Sequence, residues 1–144
     1  MRDLQATAEA LLADLVGFPS VTGTPNGAIV GYIKDYLENL NIPVRIDAHE
    51  DGERFNLFAT IGQQIDGGIV LSGHTDVVPA NSAGWTADPF TLRKQDSRLY
   101  GRGAVDMKGF LAIALALAPL FKQAEGEMRL PLHYAFTFDE EVGS

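Results

Sequence analysis

Three places in the chain carry side chains that can bind a metal ion. A short apolar run leads into His74, and Asp76 follows two residues later. Asp106 lies in a glycine-containing loop, and the acidic pair Glu140 and Glu141 follows a second apolar run. Neutral imidazole nitrogens and carboxylate oxygens are ligands for Zn²⁺ and similar ions, and a metal held in this way can activate water for hydrolysis. The residue types therefore predict a hydrolytic metal centre.

The spacing of His74 and Asp76 predicts a metal ligand together with the residue that orients it. If the carboxylate of Asp76 accepts a hydrogen bond from one ring nitrogen, the other nitrogen is left unprotonated for the metal and becomes more basic. A buried structural histidine beside a turn aspartate explains the same tripeptide. The metal-binding interpretation is the stronger one only when the other two acidic places are counted with it.

The loop around Asp106 can be interpreted as a phosphate cradle or as a cation site. Gly101 and Gly103 match the start of the dinucleotide-binding fingerprint, but its sixth position requires glycine and here holds Asp106. Because a carboxylate there would repel phosphate, the loop indicates a cation ligand. Capping of the following helix by Asp106 is compatible with that role, since capping uses one carboxylate oxygen. We expect Lys108 at the surface rather than in contact with the acidic residues or a substrate.

The pair Glu140 and Glu141 comes after the apolar segment 130–138 and Asp139. Successive residues of an extended chain point to opposite sides, so we expect the two glutamates to have different roles. One can bind the metal while the other acts as a general base toward the attacking water. A solvated acidic turn is the usual fate of such a run, but the buried character of the preceding strand disfavours it.

The hydrophobic periodicity places these residues in an α/β domain. Two amphipathic helices precede three strands, a long loop, a hairpin, a helix and a last strand, which predicts a three-layer αβα fold with a mixed sheet. The histidine and the glutamate pair then follow strand ends, at the edge where ligands collect in such sheets. We expect the last helix to be buried nearly all round and the last strand to be central. The predicted helices have apolar stripes at 4–15, 29–40 and 107–122, and the predicted strands are 44–47, 55–61, 69–72, 91–93, 98–100 and 130–138.

Composition narrows the class of protein. The chain has 144 residues, 46% of them apolar, which suits one domain with a sizeable core. A net charge of −8 argues against a nucleic-acid or anionic-membrane partner, and the absence of cysteine leaves histidine, aspartate and glutamate as the ligands for any metal. The first residues lack a signal-peptide pattern and the longest apolar run is too short to span a bilayer, so we expect a cytoplasmic protein.

Three motifs carry a resemblance to a known family. Segments 72–79, 101–109 and 139–141 read Ser-Gly-His-Thr-Asp-Val-Val-Pro, Gly-Arg-Gly-Ala-Val-Asp-Met-Lys-Gly and Asp-Glu-Glu. Together they resemble the three motifs of the M20 family of co-catalytic zinc hydrolases. The resemblance extends over essentially the whole chain, and three spaced motifs are far more specific than any one of them.

The resemblance implies a role for each of five residues. His74 and Glu141 would be metal ligands, and Asp76 would orient His74. Asp106 would bridge two metal ions, and Glu140 would be the general base. The peptide bond after Asp106 is often cis in such proteins.

The resemblance also implies a fold and an activity, namely a zinc-exopeptidase-like catalytic domain that hydrolyses amide bonds. It implies one or two Zn²⁺ ions per complete subunit, with Co²⁺ as a substitute, and a homodimeric complete protein. The residue sequences of the loops 23–27 and 85–90 are similar to those of the deacetylase branch of the family. This resemblance implies N²-acetyl-L-ornithine, a small N-acylated amino acid, as substrate in arginine biosynthesis. Alternatives are a succinyl-diaminopimelate desuccinylase, another M20 amidase or dipeptidase, and a non-catalytic interaction fragment.

The family pattern extends beyond the third motif, whereas the sequence ends at Ser144. Members of the family continue through another carboxylate ligand, a lid or dimerisation domain and a closing segment with a second histidine ligand. We therefore expect residues 1–144 to be the N-terminal part of a catalytic domain, truncated before those segments. We expect the fragment alone to bind metal weakly, to have little or no activity and to expose apolar sheet surface.

Overall fold

The computed structural model describes residues 3–81 and 84–143, which contain three α-helices and six β-strands. They follow one another in the order that the sequence predicts. The helices are α1 (Leu4–Val16), α2 (Gly27–Glu38) and α3 (Lys108–Gln123), the strands are β1 (Val44–Ala48), β2 (Phe55–Ile61), β3 (Ile69–His74), β4 (Arg93–Gln95), β5 (Arg98–Tyr100) and β6 (Leu132–Thr137), and short 3₁₀ turns cover Glu125–Glu127 and Glu140–Val142.

The last strand of the chain lies in the middle of a four-stranded sheet. The strand order is β1-β2-β6-β3, with β6 antiparallel to β2 and parallel to β3. The predictions of a mixed sheet and of a central last strand are therefore confirmed. Strand β3 forms one edge, and its outer side pairs with no other described strand. Parallel pairing aligns the carboxyl ends of β3 and β6, so that His74 lies opposite Thr137.

All three helices cover the same face of the sheet. Helix α2 packs on β2 and α1 packs on α3, while the Tyr134 hydroxyl of β6 donates to the Ala114 carbonyl of α3. On the opposite face Phe58 and His133 are only half-buried and Val70 is exposed. The described residues thus form two of the three predicted layers. The single core between them contains Leu11, Leu15, Ile29, Ile33, Leu37, Leu57, Ile61, Leu111, Leu115, Leu132, Tyr134 and Phe136.

Helix α3 is buried on one side only. Leu111 and Leu115 are buried against the sheet and α1, but Ile113 is 55% exposed. The prediction of burial nearly all round is wrong, because no other described element covers the outer side of this helix. Among the described residues, no helix combines the length and the apolar composition needed to cross a bilayer.

A proline inside α3 leaves one carbonyl without its usual helical donor. Pro119 has no N–H, so the carbonyl of Leu115, four residues earlier, cannot form its intrahelical hydrogen bond. The hydroxyl of Tyr36 in α2 donates to that carbonyl over 3.1 Å. A side chain of the neighbouring helix therefore replaces the missing backbone donor.

The hairpin of β4 and β5 differs in register from the prediction. Its first strand is Arg93–Gln95 rather than 91–93, and Arg93 pairs with Tyr100. The two residues between the strands, Asp96 and Ser97, both have positive φ angles, of 50° and 59°. This conformation is that of a two-residue turn whose twist matches the strands, so pairing begins closer to the turn than the sequence indicates.

Candidate metal centre

His74 is the last residue of β3 and is almost fully buried. Its Nδ1 lies 2.9 Å from the main-chain carbonyl oxygen of Asp76, which can only accept, so Nδ1 carries the proton in this hydrogen bond. The nearer oxygen of the Asp76 carboxylate is 3.5 Å away. The orienting acceptor is therefore the backbone of Asp76 rather than the predicted carboxylate. The other ring nitrogen, Nε2, faces the carboxylate of Asp106 at 3.1 Å and that of Glu140 at 3.7 Å.

The buried carboxylate of Asp76 binds the acidic turn, by which we mean the 3₁₀ turn Glu140–Val142. Its two oxygens accept hydrogen bonds from the backbone N–H groups of Glu140 and Glu141, each over 3.2 Å. Asp76 thus satisfies two donors at the start of the 3₁₀ turn Glu140–Val142. One residue fixes both the ring of His74, through its carbonyl, and the position of the two glutamates, through its side chain.

Glu140 and Glu141 do not follow the predicted strand alternation. The chain leaves the extended conformation at Asp139, whose φ and ψ of 55° and 33° lie in the left-handed region, and then enters the 3₁₀ turn. The prediction that the two side chains point to opposite sides is therefore wrong. A carboxylate oxygen of Glu141 joins ligand atoms of His74 and Asp106, all within 4.8 Å of one another, and Glu140 also lies close to His74.

Asp106 contributes an exposed carboxylate to this cluster, with 73% of its side chain accessible. It does not cap α3, because the N-cap residue is Met107 and no side chain makes a capping hydrogen bond there. The peptide bond between Asp106 and Met107 is cis, as the resemblance implied. The loop before it is tight: a Cβ on Gly103, where φ is 78°, would lie 2.5 Å from a methyl carbon of Val77. Glycine at this position lets the loop close under the cluster.

The charge distribution around these residues suits a bound cation. Burial and the negative charge of Asp106 raise the pKa of Glu141 above its usual value. Burial lowers the pKa of His74, but hydrogen bonds to the Asp76 carbonyl and the Asp106 carboxylate outweigh that effect and raise it. The carboxylate of Asp106 contributes to both raised pKa values, so negative charge is gathered in a small volume. A metal ion would neutralise that charge and replace the proton on His74.

Lys108 is a residue of this region that the sequence interpretation misplaced. It was expected at the surface, but it is fully buried and its Nζ donates to the carbonyl of Phe18 over 2.7 Å. Burial lowers its pKa to about 8, and the nearby charge of Asp76 opposes that shift. A signal was present in the sequence, because Lys108 shares the buried stripe of α3 with Leu111 and Leu115 at helical spacing.

Known structures with the same fold include a metallo-carboxypeptidase, dipeptidases and glutaminyl cyclases. A metallo-carboxypeptidase of the M20 family from Sulfolobus solfataricus superposes with a TM-score of 0.80 at 24% identity, over 100% of this chain and 32% of that one. Human carnosine dipeptidase 1 gives 0.75 at 24% identity, over 98% of this chain and 34% of that one. At these identities the likeness concerns the fold, and it confirms the predicted α/β architecture.

Sequence comparison is more specific. Acetylornithine deacetylase from Proteus mirabilis (strain HI4320) is 37% identical over 140 residues, which cover 92% of this chain and 35% of that protein. The protein of the same name from Shigella sonnei (strain Ss046) is 37% identical over 135 residues, covering 89% of this chain and 34% of that one. The chain thus spans about a third of the length of these relatives. Residues 70–144, which carry all three motifs, match peptidase family M20/M25/M40, and the chain belongs to that family.

Proposed function

We propose that His74, Asp106 and Glu141 bind a divalent metal ion that serves amide hydrolysis. The observation that carries this proposal is the convergence of one imidazole and two carboxylates, with ligand atoms within 4.8 Å of one another. This nitrogen and oxygen donor set suits Zn²⁺, with Co²⁺ as a substitute. Family membership supports metal dependence, and we infer one or two ions per complete subunit.

The residues around the ion divide the chemistry between them. When bound, the metal would polarise the scissile carbonyl and lower the pKa of the attacking water. Glu140 lies beside the cluster with 59% of its side chain exposed, so it can accept the proton of that water and return it to the leaving amine. Asp76 holds the backbone of Glu140 and the ring of His74 in fixed relation, which keeps base and ligand aligned.

We also propose that residues 1–144 form the N-terminal part of a larger catalytic domain. Relatives are about three times as long, and the three proposed ligands would leave further coordination positions to be filled. The sheet supports the same conclusion. The outer side of β3 has no described strand beside it, and Ile69 and Val70 on that strand are 60% and 53% exposed. A lid or dimerisation domain and a closing segment would complete the site and this surface.

For the complete protein we propose deacetylation of N²-acetyl-L-ornithine to L-ornithine, a step of arginine biosynthesis, by a homodimer. The support is the 37% identity to two proteins named acetylornithine deacetylase. Rates of the complete protein on N²-acetyl-L-ornithine, succinyl-diaminopimelate and a dipeptide test the choice. A higher kcat/KM for either of the other two substrates would assign the protein to another activity of the family, and a protein inactive on all three would favour a non-catalytic role.

The metal centre and the base can be tested in a chimera in which residues 1–144 replace the matching part of the Proteus mirabilis relative. We expect Glu140→Gln to retain zinc and to lower turnover by about 100-fold or more, the scale of a lost general base. Glu127→Gln is the matched control, because Glu127 also lies in a short 3₁₀ turn but before β6, whereas Glu140 follows that strand. Normal turnover in Glu140→Gln would contradict the base assignment.

The isolated chain tests the domain proposal. We expect residues 1–144 alone to bind zinc weakly and to show little or no hydrolysis, while the chimera binds zinc firmly and is active. Turnover by the isolated chain at an enzyme-like rate would show that no further segment is needed. A folded chimera that contains no zinc would contradict the assignment of the ligands.

A further inference from the structure

The residue before the acidic pair is held from two directions. The mostly buried carboxylate of Asp139 accepts a hydrogen bond from the backbone N–H of Gly23 over 2.8 Å and another from the guanidinium of Arg54. Asp139 is also the residue whose left-handed backbone turns the chain out of β6 and into the turn that carries Glu140. The direction of the acidic turn therefore depends on how firmly this one side chain is anchored.

Arg54 is placed opposite Asp139 by the sheet itself. Strands β2 and β6 pair Leu57 with Phe136, and the same antiparallel register carried outward brings residue 54 opposite residue 139. The guanidinium is fixed by three further contacts. Its Nε donates to Asp51 over 2.6 Å, an Nη lies 3.1 Å from His49 Nδ1, and the group lies over the ring of Phe138 at 5.4 Å. An arginine held in this way makes a rigid anchor.

We propose that Arg54 and Asp139 are positioning residues that fix the acidic turn in the geometry required for metal binding. The inference rests on the proposed metal centre. Asp139 anchors the entrance of the turn, and Asp76 holds the two N–H groups that follow, so the turn is fixed at two successive points. Neither Arg54 nor Asp139 belongs to the ligand cluster, and they act on it through the backbone of Glu140 and Glu141.

Charge and positioning make opposite predictions for the removal of Arg54. A positive charge near a cation site repels the cation, so its loss by a purely electrostatic effect would strengthen zinc binding. If Arg54 instead fixes the turn, its loss releases the ligand Glu141 and weakens zinc binding. The sign of the change therefore separates the two explanations.

The experiment compares Arg54→Met with Arg45→Met in the 144-residue chain. Arg45 is the control, since it also pairs with an aspartate, Asp47, over 3.1 Å and lies over the Phe58 ring at 5.3 Å, but it is exposed on β1 and has no contact with the acidic turn. The first readout is hydrogen exchange of the Glu140 and Glu141 amides in the metal-free chain. The second is zinc affinity, measured by competition with a chromophoric chelator.

We expect Arg54→Met to accelerate exchange at both amides by about tenfold and to lower zinc affinity by about tenfold, as suits the loss of the charge-assisted hydrogen bond to Asp139. Arg45→Met should change neither quantity more than about twofold, the usual scale for an exposed ion pair. Unchanged exchange, or zinc affinity that stays equal or rises in Arg54→Met, would overturn the proposal.

Two further outcomes are separable. If the unmodified chain fails to bind zinc, the affinity comparison is made in the chimera, where a folded protein without zinc would refute the proposed metal centre. The exchange rates still decide whether Arg54 fixes the turn. If Arg54→Met does not fold, Arg54→Lys replaces it, because lysine keeps the charge but cannot serve Asp51 and Asp139 with a planar fork. Exchange at Glu140 and Glu141 in Arg54→Lys should still be faster than in the unmodified chain, and equal rates would refute the positioning role.

Discussion

The hydrogen bond from the Tyr36 hydroxyl to the Leu115 carbonyl allows a prediction about stability, because that bond is needed only when position 119 is proline. Pro119 removes the helical donor of that carbonyl, and the Tyr36 hydroxyl supplies a replacement over 3.1 Å. Tyr36→Phe would leave a buried carbonyl without this donor. The expected loss in free energy of unfolding is about 1–3 kcal/mol, the cost of an unsatisfied buried polar group.

The same substitution should cost little when Pro119 is first changed to alanine. An alanine at this position has an N–H group that can donate to the carbonyl of Leu115 within the helix. Tyr36→Phe in that background should lower the free energy of unfolding by no more than about 0.5 kcal/mol through this carbonyl. Any other contact of the Tyr36 hydroxyl is lost in both backgrounds and cancels in the double-mutant cycle.

Four metal-free proteins are compared by urea unfolding, monitored by circular dichroism: the unmodified chain, Tyr36→Phe, Pro119→Ala and the double variant. Their free energies of unfolding give the coupling energy between positions 36 and 119. Tyr32→Phe is the control, because Tyr32 lies on the same helix and its hydroxyl donates to Asp14 rather than to α3. Its cost should be the same with proline or alanine at position 119. Equal costs of Tyr36→Phe in both backgrounds would refute the idea that the tyrosine compensates for the proline.

Three further predictions concern Lys108, Gly109 and His74. Because the folded pKa of Lys108, about 8, lies below its unfolded value, the metal-free chain should gain stability as pH rises from about 8 to about 10.5. Lys108→Met should abolish that rise and stabilise the chain at pH 7 by up to about 3 kcal/mol. Urea unfolding at two pH values would measure both effects. If the stability of Lys108→Met rose with pH as much as that of the unmodified chain, Lys108 would not be its cause. Gly109→Ala should lower the free energy of unfolding by about 1–3 kcal/mol, because the new Cβ would lie 2.5 Å from the Ala104 carbonyl oxygen. Gly31→Ala in α2 is the control: its Cβ would meet nothing within 4 Å, so thermal melts should show it to be neutral or stabilising. Zinc affinity should fall by at least about tenfold per pH unit below the raised pKa of His74, because the proton and the metal compete for one nitrogen, and a pH-independent affinity would exclude this ligand.

Much of the candidate site could be predicted from residue types and strand ends. The strand ends predict His74, Glu140 and Glu141 at one edge of the sheet, and the structure brings Asp106 to the same place. The reason is the sheet topology: β3 and β6 are parallel, so their carboxyl ends align and the candidate ligands that follow them meet. Their assignment as metal ligands and base stays a prediction until metal and turnover are measured.

What could not be predicted depends on contacts between distant residues or on local departures from regular structure. The contact of Arg54 with Asp139 joins residues 85 positions apart, and no local pattern marks either as a partner of the other. The turn at Asp139 breaks the strand alternation, which predicts that the side chains of Glu140 and Glu141 point to opposite sides. Lys108 has a residue type that is rarely buried, and this outweighed its helical spacing.

The place of β6 in the sheet determines when the residues of the proposed metal centre can meet. It is the last of the six described strands to be synthesised, and among the described strands it alone pairs with both β2 and β3. Until residues 132–137 have left the ribosome, the β1–β2 hairpin and β3 have no common partner and His74 has no neighbour from the acidic turn. Such late pairing of distant segments is slow and leaves strand edges open. A nascent or cleaved chain that stops before β6 therefore keeps His74 and Asp106 but lacks Glu140 and Glu141, the other residues of the proposed metal centre.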